Sequence, residues 1–514
     1  MPVTKIERVR GTNDIMPEEY QLYADMRATL MQGFQAAGYR PIDVPLIEYT
    51  DLHLRKSGEA IVSRLYDFTH QNQRLCLRPE MTASITRAYV DQLQTAALPL
   101  RLCYAGPVFQ YATPQEGSYR QFTQVGVELL GATGSLADSE MMALAAQGVE
   151  RLGLTQYHLT IGHIGILAEF LRNLELDSRL QSFLLSHIDV LREAGREQVL
   201  QQLETFYAFT SRPTEAVASD LDEEDLPTEA ISNLVDLLAS SDKRLARSAI
   251  LNFLRGSHIQ IGGARDPEEI IERLLLKMKR TDQLARVHQA LDFMAELGAC
   301  HGPPVAVVQE LARLLAAHGV PDTALQQVQA TIEALSWYGI DPERMIFDAG
   351  MSRGIQYYTG VIFELYDAQG DTQRPICGGG RYDDLVALMG ARQAVPAIGF
   401  AYGLEHIRRA LGEPHAATAR RADVLVIPSD AAGNRAAIQV AERLRQAGLR
   451  AEMDVSGGSI EQGWHYASQG QIPCVVRVDA SDSAVTHVYL RMLATGAEQP
   501  MTLDEAIEAV TRMR

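Results

Sequence analysis

Arg101–Glu128 carries the sequence RLCYAGPVFQYATPQEGSYRQFTQVGVE, which predicts two apolar strands joined by a polar loop. Because the side chains of a strand alternate between its two faces, Gln124, Gly126 and Glu128 fall on one face of the second strand. An amide and a carboxylate with a glycine between them would leave room for a small polar ligand. The same pattern also fits the polar face of an ordinary antiparallel hairpin, so the rest of the chain has to decide between the two interpretations.

Composition and charge limit the class of protein. With 514 residues, the chain exceeds the roughly 250–300 residues of a single hydrophobic core, so several domains are expected. The net charge of −18 disfavours broad attraction to nucleic acid or to an anionic membrane and favours a protein or a small molecule as the partner. The N-terminus has no signal-peptide core, and no stretch approaches the roughly 20 apolar residues that span a bilayer. We therefore expect a soluble cytoplasmic protein without a membrane partner.

The cysteines are scattered along the chain. They are Cys76, Cys103, Cys300, Cys377 and Cys474. Their spacing matches neither a zinc site nor a disulfide framework, and it fits buried thiols in a reducing compartment. We therefore predict no metal site.

The order of predicted helices and strands indicates an α+β fold with an insertion. Residues 1–163 and 338–412 combine strands with helices and are predicted to form two parts of one core. Between them, 164–337 has an almost continuous helical periodicity and is predicted to be an inserted helical domain. After a linker at 413–421, residues 422–514 alternate strands and helices, which predicts a small α/β domain with a mostly parallel sheet.

A second group of candidate ligand-binding residues lies where a strand meets a helix. In RLCLRPEMT, residues Arg74–Thr82, the alternation stops at Pro79, and a helix is predicted from Ala83. This places Glu80 and Thr82 at the junction, where backbone amides are free to bind a ligand. A role in capping the helix explains these two residues equally well.

Six motifs carry a family resemblance. In chain order they are RGTNDIMP, LRPEMT, the hairpin Arg101–Glu128, SRGIQYYTGVIFE, GGGRYDDL and IGFAYGLEH. Six ordered motifs are far more specific than a single glycine pattern. The chain resembles histidyl-tRNA synthetase and its paralogues over nearly its whole length, apart from an enlarged helical insertion. The resemblance implies a class II synthetase-like core with an antiparallel sheet, the helical insertion, and a C-terminal α/β domain like the anticodon-binding domain of that family.

The resemblance also implies a binding site for histidine. The amino acid pocket of the family corresponds here to Glu80, Thr82, Gln124, Glu128, Arg353, Tyr357, Tyr358 and Tyr382. In such a pocket, carboxylates and an amide accept from the ammonium group and the imidazole N–H, and an arginine binds the carboxylate of the ligand. Tyrosines supply flat walls with a polar tip. Every residue type matches, so histidine or a close analogue is the expected ligand.

The nucleotide-binding half departs from the family pattern. An active synthetase of this class has an arginine on the first hairpin strand, where this chain has Gln110, and another at the start of the last core helix, where it has His406. Ala112 and Ser118 stand at loop positions that are usually charged, although Arg120 is kept. Losing one preorganised donor to transition-state charge costs on the order of 10²–10³ in rate. These residues therefore predict a degenerate nucleotide site.

The departures favour a paralogue that binds histidine without charging tRNA. Gln356 occupies a position that is usually acidic in the synthetases, and GGSIEQGWHYA stands where their C-terminal domain carries several basic residues. The main hypothesis is a regulatory subunit of ATP phosphoribosyltransferase in histidine biosynthesis. Such a protein would bind histidine and the catalytic subunit of that enzyme, would need no cofactor, and would have no catalytic residue. By resemblance it would be a homodimer, and tRNA is not an expected partner.

Two alternatives remain open. One is a divergent histidine–tRNA ligase, which would use ATP and Mg²⁺ to charge tRNA with histidine. It would rely on Arg353 for catalysis, with Arg120 and Arg381 serving ATP. The other is a free-standing enzyme that activates or transfers an amino acid without tRNA. Histidine-dependent exchange of pyrophosphate into ATP separates either enzyme from the regulatory protein.

Overall fold

The computed structural model describes most of the chain. The described residues are 6–57, 64–111, 119–210, 267–352, 357–369, 374–412, 421–479 and 487–513. Four residues named above lie outside these ranges, as does most of the predicted linker: Ala112, Ser118, Arg353 and Gln356. The chain divides into two compact units, of which the first ends at Gly412 and the second contains the C-terminus.

The first unit is rich in helices. They are α1 (Pro17–Ala36), α2 (Thr50–Ser57), α3 (Thr82–Ala88), α4 (Ser135–Arg151), α5 (Ile164–Asn173), α6 (Ser178–Ser186), α7 (Ile188–Ala194), α8 (Arg196–Thr210), α9 (Pro267–Ala299), α10 (Pro304–Ala317), α11 (Thr323–Trp337), α12 (Leu385–Leu388) and α13 (Leu404–Ala410). A π-helical turn, Tyr89–Leu93, continues α3, and a 3-10 turn covers Pro342–Arg344.

Local chemistry explains where α1 begins and ends. Pro17 opens the helix, where its missing N–H costs nothing, and Glu18 in the first turn interacts favourably with the helix dipole. Gly38 follows the helix with φ +86°, the left-handed conformation that ends many helices. Leu30 and Phe34 lie on the buried face, so the helix packs on the sheet through one apolar stripe.

The strands of the first unit form two sheets. They are β1 (Arg40–Pro41), β2 (Ile47–Tyr49), β3 (Tyr66–His70), β4 (Gln73–Leu77), β5 (Leu100–Phe109), β6 (Gln121–Leu130), β7 (Tyr157–His163), β8 (His301–Gly302), β9 (Met345–Asp348), β10 (Val361–Asp367), β11 (Cys377–Arg381) and β12 (Ala397–Gly403). The large sheet has the order β1-β5-β6-β12-β11-β10-β7-β9-β8, and the small sheet has the order β2-β4-β3. In the large sheet, β1–β5 and β7–β9 are parallel and the other pairs are antiparallel. The predicted α+β class with a class II synthetase-like sheet is confirmed.

The hairpin predicted from Arg101–Glu128 is formed by β5 and β6. The two strands pair along their whole length, from Leu100 opposite Leu130 to Phe109 opposite Gln121. On the far side of β6, β12 adds a further antiparallel strand. The second strand of the hairpin therefore lies inside the large sheet, with a paired strand along each of its edges.

The described helices of 164–337 share one hydrophobic core with the large sheet. Phe170 of α5 stacks on Phe293 of α9 with ring centroids 3.8 Å apart. Both rings belong to the apolar cluster that contains Val127 of the hairpin and Val149 of α4. Apolar contacts thus pack the helical stretch onto the sheet, and its predicted boundaries as a domain stay a prediction.

The second unit is a small domain built on a mixed sheet. Its helices and strands are β13 (Val424–Pro428), α14 (Asn434–Gln446), β14 (Ala451–Met453), α15 (Ile460–Gln469), β15 (Cys474–Val478), β16 (His487–Met492), β17 (Glu498–Thr502) and α16 (Leu503–Thr511). In the order β14-β13-β15-β16-β17, the first two pairs are parallel and the last two are antiparallel. The expectation of a mostly parallel sheet is therefore wrong. β16 and β17 follow β15 with no helix described between them, which suits antiparallel neighbours.

The sequence predicts no membrane-spanning helix. Every helix in the described ranges is too short or too polar to cross a bilayer.

Candidate functional site

Groups from the two neighbouring strands fill the space over the polar face of β6 at Gly126. Tyr104 on β5 lies opposite Gly126, and residues opposite each other in an antiparallel pair point to the same side of the sheet. A Cβ atom built on Gly126 would lie 2.7 Å from the hydroxyl oxygen of Tyr104 and would also overlap the main-chain oxygen of Phe400. The space above the glycine is filled by Tyr104. The expectation that the glycine leaves this space open for a ligand is therefore wrong.

Glu128 is the centre of the site and is only 1% exposed. The Thr82 hydroxyl donates to its Oε1 at 2.8 Å, and the Tyr104 hydroxyl donates to the same oxygen at 3.2 Å. The Tyr382 hydroxyl donates to Oε2. These three donors, which come from separate parts of the chain, fix the orientation of the carboxylate.

The two tyrosine donors stay protonated. Burial, and next the charge of the Glu128 carboxylate, raise the pKa of both Tyr104 and Tyr382 well above the ordinary value for tyrosine. Both hydroxyls therefore remain neutral donors at physiological pH. A buried carboxylate whose hydrogen bonds are satisfied is held rigidly. A rigid acceptor of this kind can recognise a ligand selectively.

Glu80 lies at the N-terminus of α3, where the sequence predicts it. Its carboxylate accepts from the main-chain N–H of Thr82 at 2.8 Å and from that of Ala83 at 3.0 Å. Capping of the helix, which the sequence left open as an alternative, therefore describes these contacts. The Oε1 atom also lies 3.8 Å from Nδ1 of His53, a fully buried side chain on α2.

Gln124 ties β6 to the same turn. Its Oε1 atom accepts from the main-chain N–H of Met81 at 3.1 Å. Together with the contact between Thr82 and Glu128, this bond connects four of the predicted histidine-binding residues: Glu80, Thr82, Gln124 and Glu128.

Three tyrosines form an aromatic wall beside the carboxylate. The ring centroids of Tyr357 and Tyr358 are 4.6 Å apart, and Tyr357 meets Tyr382 edge to face at 6.0 Å. Because Tyr382 also bonds Glu128, the wall and the carboxylate belong to one arrangement. The structure thus brings together seven of the eight predicted histidine-binding residues, and Arg353 lies outside the described ranges. We name these seven residues the histidine half of the site, after the ligand that the family resemblance implies.

Gln110 is held by the main chain. Its Nε2 atom donates to the carbonyl oxygen of Pro79 at 2.9 Å, and its own N–H donates to the carbonyl oxygen of Arg120 at 3.0 Å. The guanidinium of Arg120 lies over the ring of Tyr111 at 4.5 Å, within cation–π distance. The main-chain N–H of Arg120 donates to Gly11, which attaches the N-terminal segment to the hairpin. An amide stands at position 110, and Arg120 places a positive charge at this end of the hairpin.

His406 lies among aromatic rings at the start of α13. Its ring is 5.8 Å from those of Tyr119 and Phe122, and it is nearly parallel to the latter. The neighbouring Glu405 accepts from the main-chain N–H of Thr123, at 3.0 Å and 2.8 Å, and so joins the helix to β6. By the family resemblance, Gln110, Arg120 and His406 would face ATP. We therefore call these three residues the nucleotide half of the site.

Arg381, which the ligase alternative assigned to ATP, is committed to the fold. Its guanidinium is buried and donates to Asp138, to Asp383 at 3.1 Å and to the carbonyl oxygen of Ala132 at 2.9 Å. Four of its five N–H groups are thus bonded within the protein. Its assignment to ATP stays a prediction.

Sequence reasoning missed two side chains of the site. Tyr104 could have been found, because pairing the hairpin strands places it opposite the glycine between Gln124 and Glu128. His53 could not, because its contact with Glu80 joins two separate helices and has no pattern in the sequence. Within the described part of the chain, no group of three or more His, Cys, Asp or Glu side chains is placed to hold a metal ion.

The fold and the site define a class II synthetase-like protein, in which a large mixed sheet carries an acceptor-rich site for a small ligand. The chain belongs to the histidyl-tRNA synthetase family. The family model described as "Histidyl-tRNA synthetase" matches residues 11–262 and 258–407, and the model described as "Anticodon binding domain" matches residues 423–513.

Relatives over the full length correct the main hypothesis. Curated proteins from several archaea match the chain, and they are named histidine–tRNA ligase. The one from Thermococcus kodakarensis is 28% identical and covers 99% of both chains. The prediction of a non-charging regulatory subunit is therefore wrong, and the ligase alternative agrees better with these relatives. The departures behind that prediction, at Gln110, Ala112, Ser118, Gln356 and His406, leave the order of the six family motifs unchanged.

Solved structures agree on the fold. A histidyl-tRNA synthetase from Nostoc sp. PCC 7120 superposes with a TM-score of 0.63 at 18% identity, covering 99% of this chain and 100% of that one. A protein from Bacillus halodurans, described as an ATP phosphoribosyltransferase regulatory subunit/histidyl-tRNA synthetase, superposes with a TM-score of 0.60 at 22% identity, covering 93% of this chain and 100% of that one. At such identities the likeness concerns the fold alone.

Proposed function

We propose that the chain is a histidine–tRNA ligase, which activates histidine with ATP and transfers it to tRNA. The observation that carries the proposal is the buried carboxylate of Glu128, which three hydroxyl donors orient beside the wall of tyrosines. A carboxylate oriented in this way is an acceptor for the N–H of an imidazole. The curated ligases that match the full length of the chain support the same activity.

In the proposed complex, several side chains around the amino acid have defined tasks. The Glu128 carboxylate accepts from the imidazole, and the Tyr357–Tyr358 pair covers its flat face. Glu80 holds the first turn of α3 through two main-chain N–H groups and places negative charge beside the ammonium group. By the family resemblance, Arg353 binds the carboxylate of the amino acid. These contacts thus orient the carboxylate of the bound amino acid for attack on ATP.

The nucleotide half would bind ATP with less positive charge than the family pattern provides. Arg120 supplies the cation at the end of the hairpin, and the rings of Phe122 and His406 supply stacking surface for a base. We therefore expect activation to be slower than in a synthetase with both signature arginines, because neutral groups stabilise phosphate charge less well.

The proposal extends to the partners and the location. The match of residues 423–513 to an anticodon-binding model supports tRNA as the macromolecular substrate. A homodimer is supported by the small sheet, where Ile47, Tyr49 and Phe68 are 51%, 57% and 41% exposed and share one face. The mass of the protein in solution tests the dimer. The five cysteines, all within the described ranges, are buried and form no disulfide, which supports a reducing, cytoplasmic setting.

Histidine-dependent exchange of labelled pyrophosphate into ATP tests the activation step, and charging of total tRNA with labelled histidine tests the transfer. We expect both signals with L-histidine and neither with glutamine or phenylalanine. Binding of histidine by calorimetry without any exchange would overturn the proposal. Exchange without charging would reject the transfer step and leave an amino acid-activating enzyme.

A further inference from the structure

The turn after β9 is held by the helical stretch of the chain. This 348–352 turn follows β9 and precedes the motif that contains the tyrosine pair of the site. The guanidinium of Arg192, on α7, donates to Asp348 Oδ2 at 3.0 Å and to the carbonyl oxygen of Gly350 at 3.5 Å. Asp348 in turn accepts from the N–H of Gly350 at 3.0 Å. One arginine therefore clamps both ends of a tight turn.

Two further contacts fix the same turn. The side chain of Ser352 hydrogen-bonds the carboxylate of Asp189, which lies one helical turn before Arg192 on α7. A Cβ atom built on Gly350 would lie 2.6 Å from the Cα atom of Gly298, near the end of α9. The turn and the helix thus touch backbone to backbone, and a shift of either helix displaces the turn.

The turn also contacts the histidine half of the site. Met351 is buried, and it belongs to the apolar cluster that contains Tyr357, Tyr358 and Tyr382. A Cβ atom built on Gly162 of β7 would lie 2.7 Å from the Cβ atom of Met351, so the methionine has no space to move towards the sheet. Because packed interiors transmit small displacements, a shift of the turn reaches the tyrosine wall.

We propose that Arg192 is a positioning residue for the histidine site. It holds the 348–352 turn so that Met351 supports the tyrosine wall, and the helical stretch thereby sets the affinity for histidine without touching the ligand. The inference rests on the proposed function, since it takes histidine as the ligand. The side-chain exposures are 36% for Arg192 and 15% for Asp348, so the arginine is partly exposed and the carboxylate is mostly buried.

The test compares Arg192→Ala with a matched control, Arg196→Ala. Arg196 is 39% exposed and pairs with Asp292 within the helical stretch, away from the turn. We expect Arg192→Ala to weaken histidine binding in calorimetry about fivefold and to raise the KM for histidine in the exchange assay by the same factor, with the KM for ATP unchanged. Arg196→Ala should change none of these. Arg192→Lys, which keeps the charge, should restore most of the affinity.

A double-mutant cycle adds a measurement that a merely structural role would not move. Asp348→Asn keeps the acceptor for Gly350 and removes the charge that faces Arg192. If the pair acts as a unit, the double variant binds histidine no more weakly than either single variant. Equal effects of Arg192→Ala and Arg196→Ala, or additive effects in the cycle, would overturn the inference. Should Arg192→Ala fail to fold in thermal unfolding, Asp348→Asn against Asp292→Asn decides, since an unchanged histidine affinity in Asp348→Asn also rejects the inference. Lack of exchange by the unchanged protein would instead reject the proposed function, and the calorimetry would still test the clamp.

Discussion

The two halves of the site are built in opposite ways. In the histidine half, the Glu128 carboxylate is 1% exposed, is bound by three hydroxyls from different elements, and is closed on one side by Tyr104. In the nucleotide half, Gln110 bonds a main-chain carbonyl, His406 lies among rings, and Arg120 rests over Tyr111. The first half is a rigid network of polar groups, whereas the second depends on stacking and on one partly exposed cation.

This difference shows where specificity can reside. A site whose buried acceptor is already oriented discriminates strongly against a ligand that leaves the acceptor unpaired, because the unpaired group then pays its full desolvation cost. Stacking surfaces and exposed charges tolerate substitution, since water and neighbouring groups compensate for part of a lost contact. The chain can therefore belong to the ligase family with two signature arginines replaced, whereas the histidine half shows no such departure among the described residues.

The largest effect is expected at Glu128. Glu128→Ala removes the acceptor of the imidazole and leaves the hydroxyls of Thr82, Tyr104 and Tyr382 without their partner. We expect histidine affinity, measured by calorimetry, to fall at least 100-fold. Unfolding free energy should also fall by about 1–3 kcal/mol for the unsatisfied hydroxyls. Glu128→Gln keeps the volume, should unfold close to the wild type, and should still lose most of the affinity. Retention of affinity within threefold in Glu128→Gln would contradict the role of the charge.

A smaller loss is expected from the donor that the sequence analysis missed. Tyr104→Phe removes one hydrogen bond to Glu128 and keeps the ring that fills the space above Gly126. We expect about tenfold weaker histidine binding, since a hydrogen bond to a charged group contributes about 1.5–3 kcal/mol and part of it is regained by rearrangement.

A matched control lies in the same sheet. Tyr157, on β7, is equally buried and donates to Glu150 at 2.8 Å outside the site. Tyr157→Phe should lower stability to a similar extent and leave histidine affinity unchanged. If both variants weaken histidine binding equally, Tyr104 supports the fold and does not orient the carboxylate.

The sequence predicts the placement of the residues around Glu128 better than the surroundings of Gln110 and His406, for physical reasons. Alternation along β6 places Gln124 and Glu128 on one face, and the structure has them there, because strand geometry is a local property. The role of Gly126 depends on the neighbouring strands, so a single strand cannot show that Tyr104 occupies the space above it. The order of the motifs indicates the family, and the matches to its models agree.

The prediction of a non-charging protein depended on the missing arginines and on the few basic residues of the C-terminal domain. Gln110 and His406 remove positive charge, but the sequence does not show what surrounds them. In the structure, an arginine and several rings lie at the same end of the hairpin. A contact between separate elements, such as that of Arg192 with Asp348, leaves no periodic pattern and is found only once the chain is folded.

The smallest effect is expected in the nucleotide half, at Arg120. Its stem packs against Gly11, and its guanidinium lies over Tyr111, so the side chain is held in place with its charge near the end of the hairpin. Arg120→Ala should raise the KM for ATP about three- to fivefold in the exchange assay and leave histidine affinity in calorimetry unchanged. The wild-type KM for ATP should also rise between low and high salt, because a partly exposed charge is screened over roughly 8–10 Å at physiological ionic strength, and the variant should lose much of that salt dependence. Arg74→Ala, a surface arginine paired with Asp67 on the small sheet, is the control and should match the wild type in both assays. If Arg120→Ala weakened histidine binding as strongly as it weakened ATP binding, the two halves would be one coupled network and the contrast between them would fail.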